Sequence, residues 1–280
     1  MKSVYKKYFL PFSILTLISF IIAFIIPFVL GIMLSFQSWK GTFLNAKFVG
    51  ISNYIEAFLD KEFINAFIFT FKFAIVSVIT INAFAFAIAL LLTRGKRGTN
   101  FFRTLFFMPN LIGGIILGYI WQVIINALLY RFDLSLSSNP NYGFWGLVIV
   151  MNWQLIGYMS LIYIAAIQNI SSELIDASLV DGANAWERFK HITVPSVMPA
   201  LTICLFLTIT NSFKLYDQNL ALTGGGPNYQ TQMLALNIVN TIYNQVKPGL
   251  GQAKAVLFFV VIGIISLVQV FLTRRKEIDA

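Results

Sequence analysis

Phe73-Ala-Ile-Val-Ser-Val-Ile-Thr-Ile-Asn-Ala-Phe-Ala-Phe-Ala-Ile-Ala-Leu-Leu-Leu-Thr93 is 21 residues without a charge, set between Lys72 and Arg94. At about 1.5 Å per residue it makes a helix of about 31 Å, which matches the hydrocarbon core of a bilayer at about 30 Å. Lys72 sits where its ammonium reaches the outer interface while its stem lies along apolar surface.

The whole chain carries the same signature. Its 280 residues are 58% hydrophobic and 11% charged, with a mean hydropathy of +0.78, whereas soluble domains carry about 25% charged residues. Charge-free intervals place six spans at about 12–34, 66–93, 105–128, 144–167, 199–213 and 255–273. The expected fold is an all-α integral membrane protein, with residues 1–280 forming one transmembrane domain. A signal peptide does not explain the first apolar stretch, which far exceeds the 7–15 residues of such a segment. Pro27 is expected to kink that first helix. Gly114 and Gly118 have the four-residue spacing that lets helices approach closely.

Composition also excludes functions. The net charge of +9 reads as charge at helix ends that sets topology, so no nucleic-acid partner is expected. Cys204 is the only cysteine and His191 the only histidine, which excludes an internal disulfide and argues against a metal site or a Ser-His-Asp triad. The chain has no G-x-x-x-x-G-K-[ST] phosphate loop, and Gly95-Lys96-Arg97 lacks the upstream glycine. No cofactor is expected on this chain.

Orientation follows from the basic residues. Lys2, Lys6, Lys7, Arg94, Lys96, Arg97, Arg103, Arg188, Lys190, Arg274, Arg275 and Lys276 cluster tightly at helix ends on one side. Lys40, Lys47, Lys61, Lys72, Arg131, Lys214, Lys247 and Lys254 are spread along the other. The denser set marks the cytoplasmic face, so both termini are expected there.

One cytoplasmic loop, 168–198, is too long and too structured to be a connector. Ser171 and Ser172 are helix-start residues, and Glu173 suits a first turn. Gly182 supplies a stop, and Asn184 with Glu187 forms a capping-box pattern. Pro195 and Pro199 are expected to end the second short helix before the fifth span. Within this loop, Asp176-Ala-Ser-Leu-Val-Asp-Gly-Ala183, followed by Phe189, Ile192, Val194-Pro195 and Pro199, resembles the EAA loop of ABC importer permeases. Asp176, Ser178 and Val194 depart from the usual Glu, Ala and Leu. Three further stretches resemble the carbohydrate-uptake type one branch. They are Phe48-Val-Gly-Ile-Ser-Asn-Tyr54, Leu222-Thr-Gly-Gly-Gly-Pro227 and Gly251-Gln-Ala-Lys-Ala255, and the segment 213–243 looks closest to multiple-sugar and raffinose-type permeases.

The resemblance implies a bacterial plasma-membrane permease that moves an oligosaccharide by alternating access. It implies a second, similar permease, two cytoplasmic ATPase subunits carrying ATP and Mg, and an extracytoplasmic solute-binding protein. The loop would be the coupling element, with Asp176, Ala177, Asp181, Gly182, Ala183, Trp186, Phe189 and Pro195 at the ATPase contact. Two roles fit Phe189: anchoring the partner, or packing under its own helix pair.

A permease also needs polar groups inside the bundle, where they are costly without a purpose. Trp153, Gln154 and Tyr158 in the fourth span, with Asn152 beside them, are candidates. So are Thr208, Asn211, Ser212 and Lys214 in the fifth, with Tyr216 and Asp217 just beyond. Amides, hydroxyls and aromatic faces together suit a sugar. Bonds between helices are the competing role for each. Leu222–Pro227 forms a tight external turn that either faces a docked binding protein or simply connects. A permease for glycerol phosphate or polyamine is the alternative within transport. A stand-alone secondary transporter lacks the intramembrane carboxylate it would need, because all 11 acidic residues fall outside the spans.

The orientation is testable by single-cysteine labelling in a Cys204→Ser background. Position 228 should react only from outside and position 100 only from inside; the reverse pattern at 228 would overturn the six-span arrangement.

Overall fold

The computed structural model describes residues 13–39, 46–95, 98–275 and 277. Six helices in it are long and apolar enough to cross a membrane. In chain order the helices are α1 (Ser13–Ser35), α2 (Ser52–Leu59), α3 (Lys61–Leu92), α4 (Thr99–Phe107), α5 (Gly114–Leu129) and α6 (Pro140–Gln168). They continue with α7 (Ser172–Val180), α8 (Ala185–Phe213), α9 (Asp217–Leu222), α10 (Leu234–Tyr243) and α11 (Pro248–Arg274). Two short strands, β1 (Gln37–Ser38) and β2 (Lys47–Phe48), pair antiparallel with Gln37 opposite Phe48. The chain divides into two compact units. One comprises the residues up to Lys61 with Ile238–Phe259, and the other Glu62–Asn237 with the residues from Val260 onward.

The first unit shows what Asn53 and Tyr54 are for. A helix end leaves carbonyls without partners. Asn53 Nδ2 donates to the carbonyls of Ser35 and Gln37 at 2.8 and 2.9 Å, closing the end of α1. Tyr54 Oη meets Ser35 Oγ at 2.6 Å. Gly249 is required because a Cβ there would strike the Gln37 carbonyl, and Gly251 because a Cβ would strike Ile242. Lys254, which the sequence places among the outer-face charges, is fully buried. Its ammonium bonds Asp60 at 2.6 Å and Thr241 Oγ1 at 2.8 Å.

In the second unit α3, α6 and α8 share the main apolar core, with Phe73, Ile81, Leu147, Met151, Tyr163 and Cys204 in it. Gly157 lies so close to α4 that a Cβ would overlap the Phe106 carbonyl.

Two expectations change on inspection. The stretch 105–128 is not one helix. It is α4, a 3-10 turn at Met108–Leu111, an extended step at Ile112 and Gly113, and then α5. Pro109 cannot donate to a helix ladder, and the Gly113-Gly114 pair tolerates the extended backbone, so uniform apolarity conceals a break. Likewise Pro195 and Pro199 do not end a helix; helical backbone runs from Ala185 through both prolines to Phe213. A π turn at Phe189–Thr193, closed by Val194 N–H to Phe189 O, immediately precedes Pro195. The first span repeats the device, with a π turn at Ile21–Ile25 before Pro27. The wider turn makes room for the proline ring, which would otherwise meet the carbonyl four residues back.

The buried Lys254–Asp60 pair generates a stability prediction. Asp60→Asn leaves a buried ammonium without its counter-charge and should destabilise by about 3–5 kcal/mol. Adding Lys254→Met should recover most of that loss. The unfolding midpoint of the detergent-solubilised protein measures both.

Candidate functional site

The helix pair in the long loop is determined locally. Ser171 Oγ accepts from Glu173 N–H to start α7. At its end Gly182, with φ +79°, turns the chain, while Gly182 and Ala183 N–H donate to the carbonyls of Leu179 and Ser178, a Schellman stop. Asn184 Oδ1 then accepts from Glu187 N–H, and Glu187 Oε2 accepts from Asn184 N–H at 2.7 Å. The Arg188 guanidinium donates to the Ala183 carbonyl at 2.7 Å.

This rigid corner presents apolar side chains outward. Leu174, Leu179, Val180 and Trp186 are all exposed, Val180 by 88% and Trp186 by 69%. Asp176, Ala177 and Asp181 are exposed beside them, and Ala183 is half-buried. A cluster of exposed apolar groups on a polar loop marks an interaction surface. Phe189 faces inward instead. It stacks on Trp186 at 5.4 Å and touches Phe86 of α3 at 6.1 Å. Pro195 is half-buried and lines a cavity of about 610 Å³ with Asn169, Leu174 and His191.

Deeper in the same unit lies a cavity of about 270 Å³. Of the polar residues singled out in the spans, Gln154, Asn211 and Lys214 line it, joined by Tyr216 and Asp217. Gly114 and Gln218, with Met151, Leu155 and Leu215, complete the wall. The break before α5 contributes directly, because Gln154 Nε2 donates to the freed carbonyl of Ile112 at 3.2 Å. Gln218 donates to Gln154 Oε1, and its own Oε1 is buried without a protein partner. Asp217 packs at the N-terminus of α5, where a Cβ on Gly114 would come within 2.8 Å of it. A carboxylate is favoured at that positive helix end. Gly118 meets Ala221 in the same way, so the Gly114/Gly118 spacing seats α9 on α5. That spacing was the available signal for Gln218, which lies on the seated helix.

The remaining candidates are placed elsewhere. Thr208 and Ser212 are fully buried; Thr208 Oγ1 accepts from Asn82 at 3.0 Å, and Ser212 Oγ donates to the Thr208 carbonyl at 2.7 Å. Trp153 stands half exposed against Trp121 at 5.5 Å. Tyr158 is half-buried, with its ring 6.5 Å from Phe107. Asn152 donates back to the Val148 carbonyl.

The Gly-Gly-Gly-Pro turn is tied down at its base. Asn219 Nδ2 donates to Thr231 O at 2.8 Å, and its Oδ1 accepts from Met233 N–H at 2.9 Å. Asn228, Tyr229 and Gln230 stand exposed at the tip.

The chain thus combines membrane-spanning helices, a polar-walled cavity and a rigid, exposed loop corner. Residues 82–278 match the family described as binding-protein-dependent transport system inner membrane component, and the chain belongs to that family. It is a multi-pass inner-membrane permease of an ABC importer and not itself catalytic. It is 46% identical over 273 residues to the probable starch degradation products transport system permease protein AmyD of Thermoanaerobacterium thermosulfurigenes, covering 94% of this chain and 93% of that one. It is 29% identical to the multiple sugar-binding transport system permease protein MsmF of Streptococcus mutans, covering 89% of each. Among solved structures, a bacterial ABC transporter involved in the import of alginate superposes with a TM-score of 0.82 over 98% of both chains, at 19% identity.

The cavity geometry separates two variants. Asn211→Ala removes an exposed wall group, so solute uptake should fall with stability unchanged. Gln154→Ala also strands the Ile112 carbonyl and Gln218, and should cost about 1–3 kcal/mol of stability in addition. Uptake in vesicles alongside thermal unfolding checks both.

Proposed function

We propose that this chain is the permease through which an ATP-driven importer passes an oligosaccharide, of the kind starch breakdown yields. The relative at 46% identity, named for starch degradation products, carries the substrate assignment. The cavity chemistry supports it, since Gln154, Asn211 and Lys214 offer donors and acceptors to hydroxyl groups, and Tyr216 an aromatic ring. Tyr158 lies one turn from Gln154 on the same face of α6 but outside the cavity, and Trp153 lies on another face; both belong to this path only if it widens. Thr208 and Ser212 are assigned to helix contacts.

On this reading residues 1–280 act as one transmembrane domain with both termini in the cytoplasm, beside a second, homologous permease. Two ATPase subunits hold ATP and Mg, and one of them grips the 168–198 loop. Asp176, Ala177, Asp181, Gly182, Ala183 and Trp186 face it. Phe189 and Pro195 carry its movement into the membrane. A solute-binding protein docks outside, and the Asn228–Gln230 tip is placed to meet it. Closure of the ATPases opens the outer side, sugar enters the cavity, and hydrolysis restores the inward-open state.

Gly182→Arg tests the central contact. A left-handed residue with a side chain costs about 1–2 kcal/mol. Among the described residues, none beyond its own chain neighbours comes within 4 Å of the added Cβ, so the bulk projects toward the partner. The variant should insert normally, lose most of its co-purifying ATPase, and lose hydrolysis stimulated by the binding protein. Asp176→Lys should act in the same direction, less strongly. Full stimulated hydrolysis and normal maltotriose uptake with Gly182→Arg would refute this contact.

A further inference from the structure

A continuous set of contacts runs from the loop corner to the wall of the cavity. Trp186 stacks on Phe189, and Phe189 touches Phe86 at 6.1 Å. Phe86 meets the ring of Tyr163 edge-on at 5.4 Å. Tyr163 Oη donates to Asn82 Oδ1 at 2.8 Å, and Asn82 Nδ2 donates to Thr208 Oγ1 at 3.0 Å and to the Val78 carbonyl at 2.8 Å. Thr208 in turn donates to the Cys204 carbonyl at 2.8 Å, and its own carbonyl accepts from Ser212. Asn211 and Lys214 follow on the cavity side of the same helix. The three hydrogen-bonding side chains come from α6, α3 and α8, one from each.

Below this pin, α8 is built to bend. Pro195 and Pro199 have no N–H, so the carbonyls four residues back, at His191 and Pro195, receive no helical bond from them. The π turn at Phe189–Thr193 adjoins that stretch. Beside it is an apolar cavity of about 230 Å³, lined by Phe86, Tyr163, Val197, Met198 and Leu201. Close-packed interiors resist movement, and this space lets the lower part of α8 swing. Above the pin, α8 is an uninterrupted helix to Phe213.

We infer that the Tyr163–Asn82–Thr208 knot is the pivot that converts movement of the loop corner into displacement of the cavity wall. The inference rests on the functional reading above and assigns the three residues as positioning residues that touch no solute. An apolar core would hold the helices together equally well, but its contacts are non-directional and single out no one point of rotation. Directed hydrogen bonds fix the point of rotation. Without them the corner still moves with the ATPase, and the cavity wall does not follow.

The test uses the whole importer in vesicles, with its ATPase and binding protein, and reads maltotriose imported per ATP hydrolysed. Thr208→Val keeps shape and loses the acceptor; Thr208→Ser keeps the acceptor. Tyr163→Phe loses the donor alone. Uptake per ATP should fall about three- to tenfold in Thr208→Val and in Tyr163→Phe, the range expected for one hydrogen bond. Stimulated hydrolysis should persist, and Thr208→Ser should retain the wild-type ratio. The Tyr163→Phe, Thr208→Val double variant should be no worse than the poorer single variant, because both break one pivot. A wild-type ratio in the two single variants would overturn the inference, as would additive losses or an equal loss in Thr208→Ser. Failure of Tyr163→Phe to assemble would overturn it as well, since the knot would then serve folding. If the wild-type complex itself shows no hydrolysis stimulated by its binding protein, the functional reading fails, not the pivot alone.

Discussion

Hydrocarbon offers backbone amides no hydrogen-bond partner, so a chain crossing lipid must pair every N–H and C=O within itself. Unbroken helices meet that demand, but they enclose no polar cavity and no hinge. This permease breaks its helices at a few places and closes several of the breaks with an amide or hydroxyl side chain. Gln154 takes the Ile112 carbonyl freed before α5, and Asn53 takes the carbonyls at the end of α1. Gln122 takes the Leu222 carbonyl at the end of α9, and Asn126 the Leu136 amide. Asn219 and Thr70 take the Met233 and Leu234 amides that open α10. Several polar residues inside the bundle are therefore repairs, and one of them, Gln154, also lines the cavity.

The same logic separates the two faces of α8. Thr208 and Ser212, four residues apart, lie on the side buried against α3 and α6. Asn211 and Lys214, three apart, lie on the side that borders the cavity. One helix thereby carries a fixed face and a working face, with prolines and a π turn at its lower end. The loop corner needs no such help from the membrane. A Schellman stop, a capping box and one arginine bond fix it locally, and Phe189 joins it to Phe86.

How much of this was legible in the sequence depended on the range of the interactions. Lipid acts on every residue of a span alike, so charge-free length alone determined six helices. Gly182, Asn184 and Glu187 act within a few residues of one another, so the corner could be read from their order. Pro109 and the Gly113-Gly114 pair were visible, yet apolarity on both sides concealed that the helix stops between them. Thr208 and Asn211, three apart, are neighbours on the helix surface, so periodicity could not say which of them meets α3. That choice is made by Asn82, over a hundred residues away. Lys254 reads as one more outer-face charge until Asp60 is brought against it, and Gln218 reads as loop until Gly114 and Gly118 seat α9. Tertiary structure alone decided these, because a buried polar group takes its meaning from a partner the local sequence does not contain.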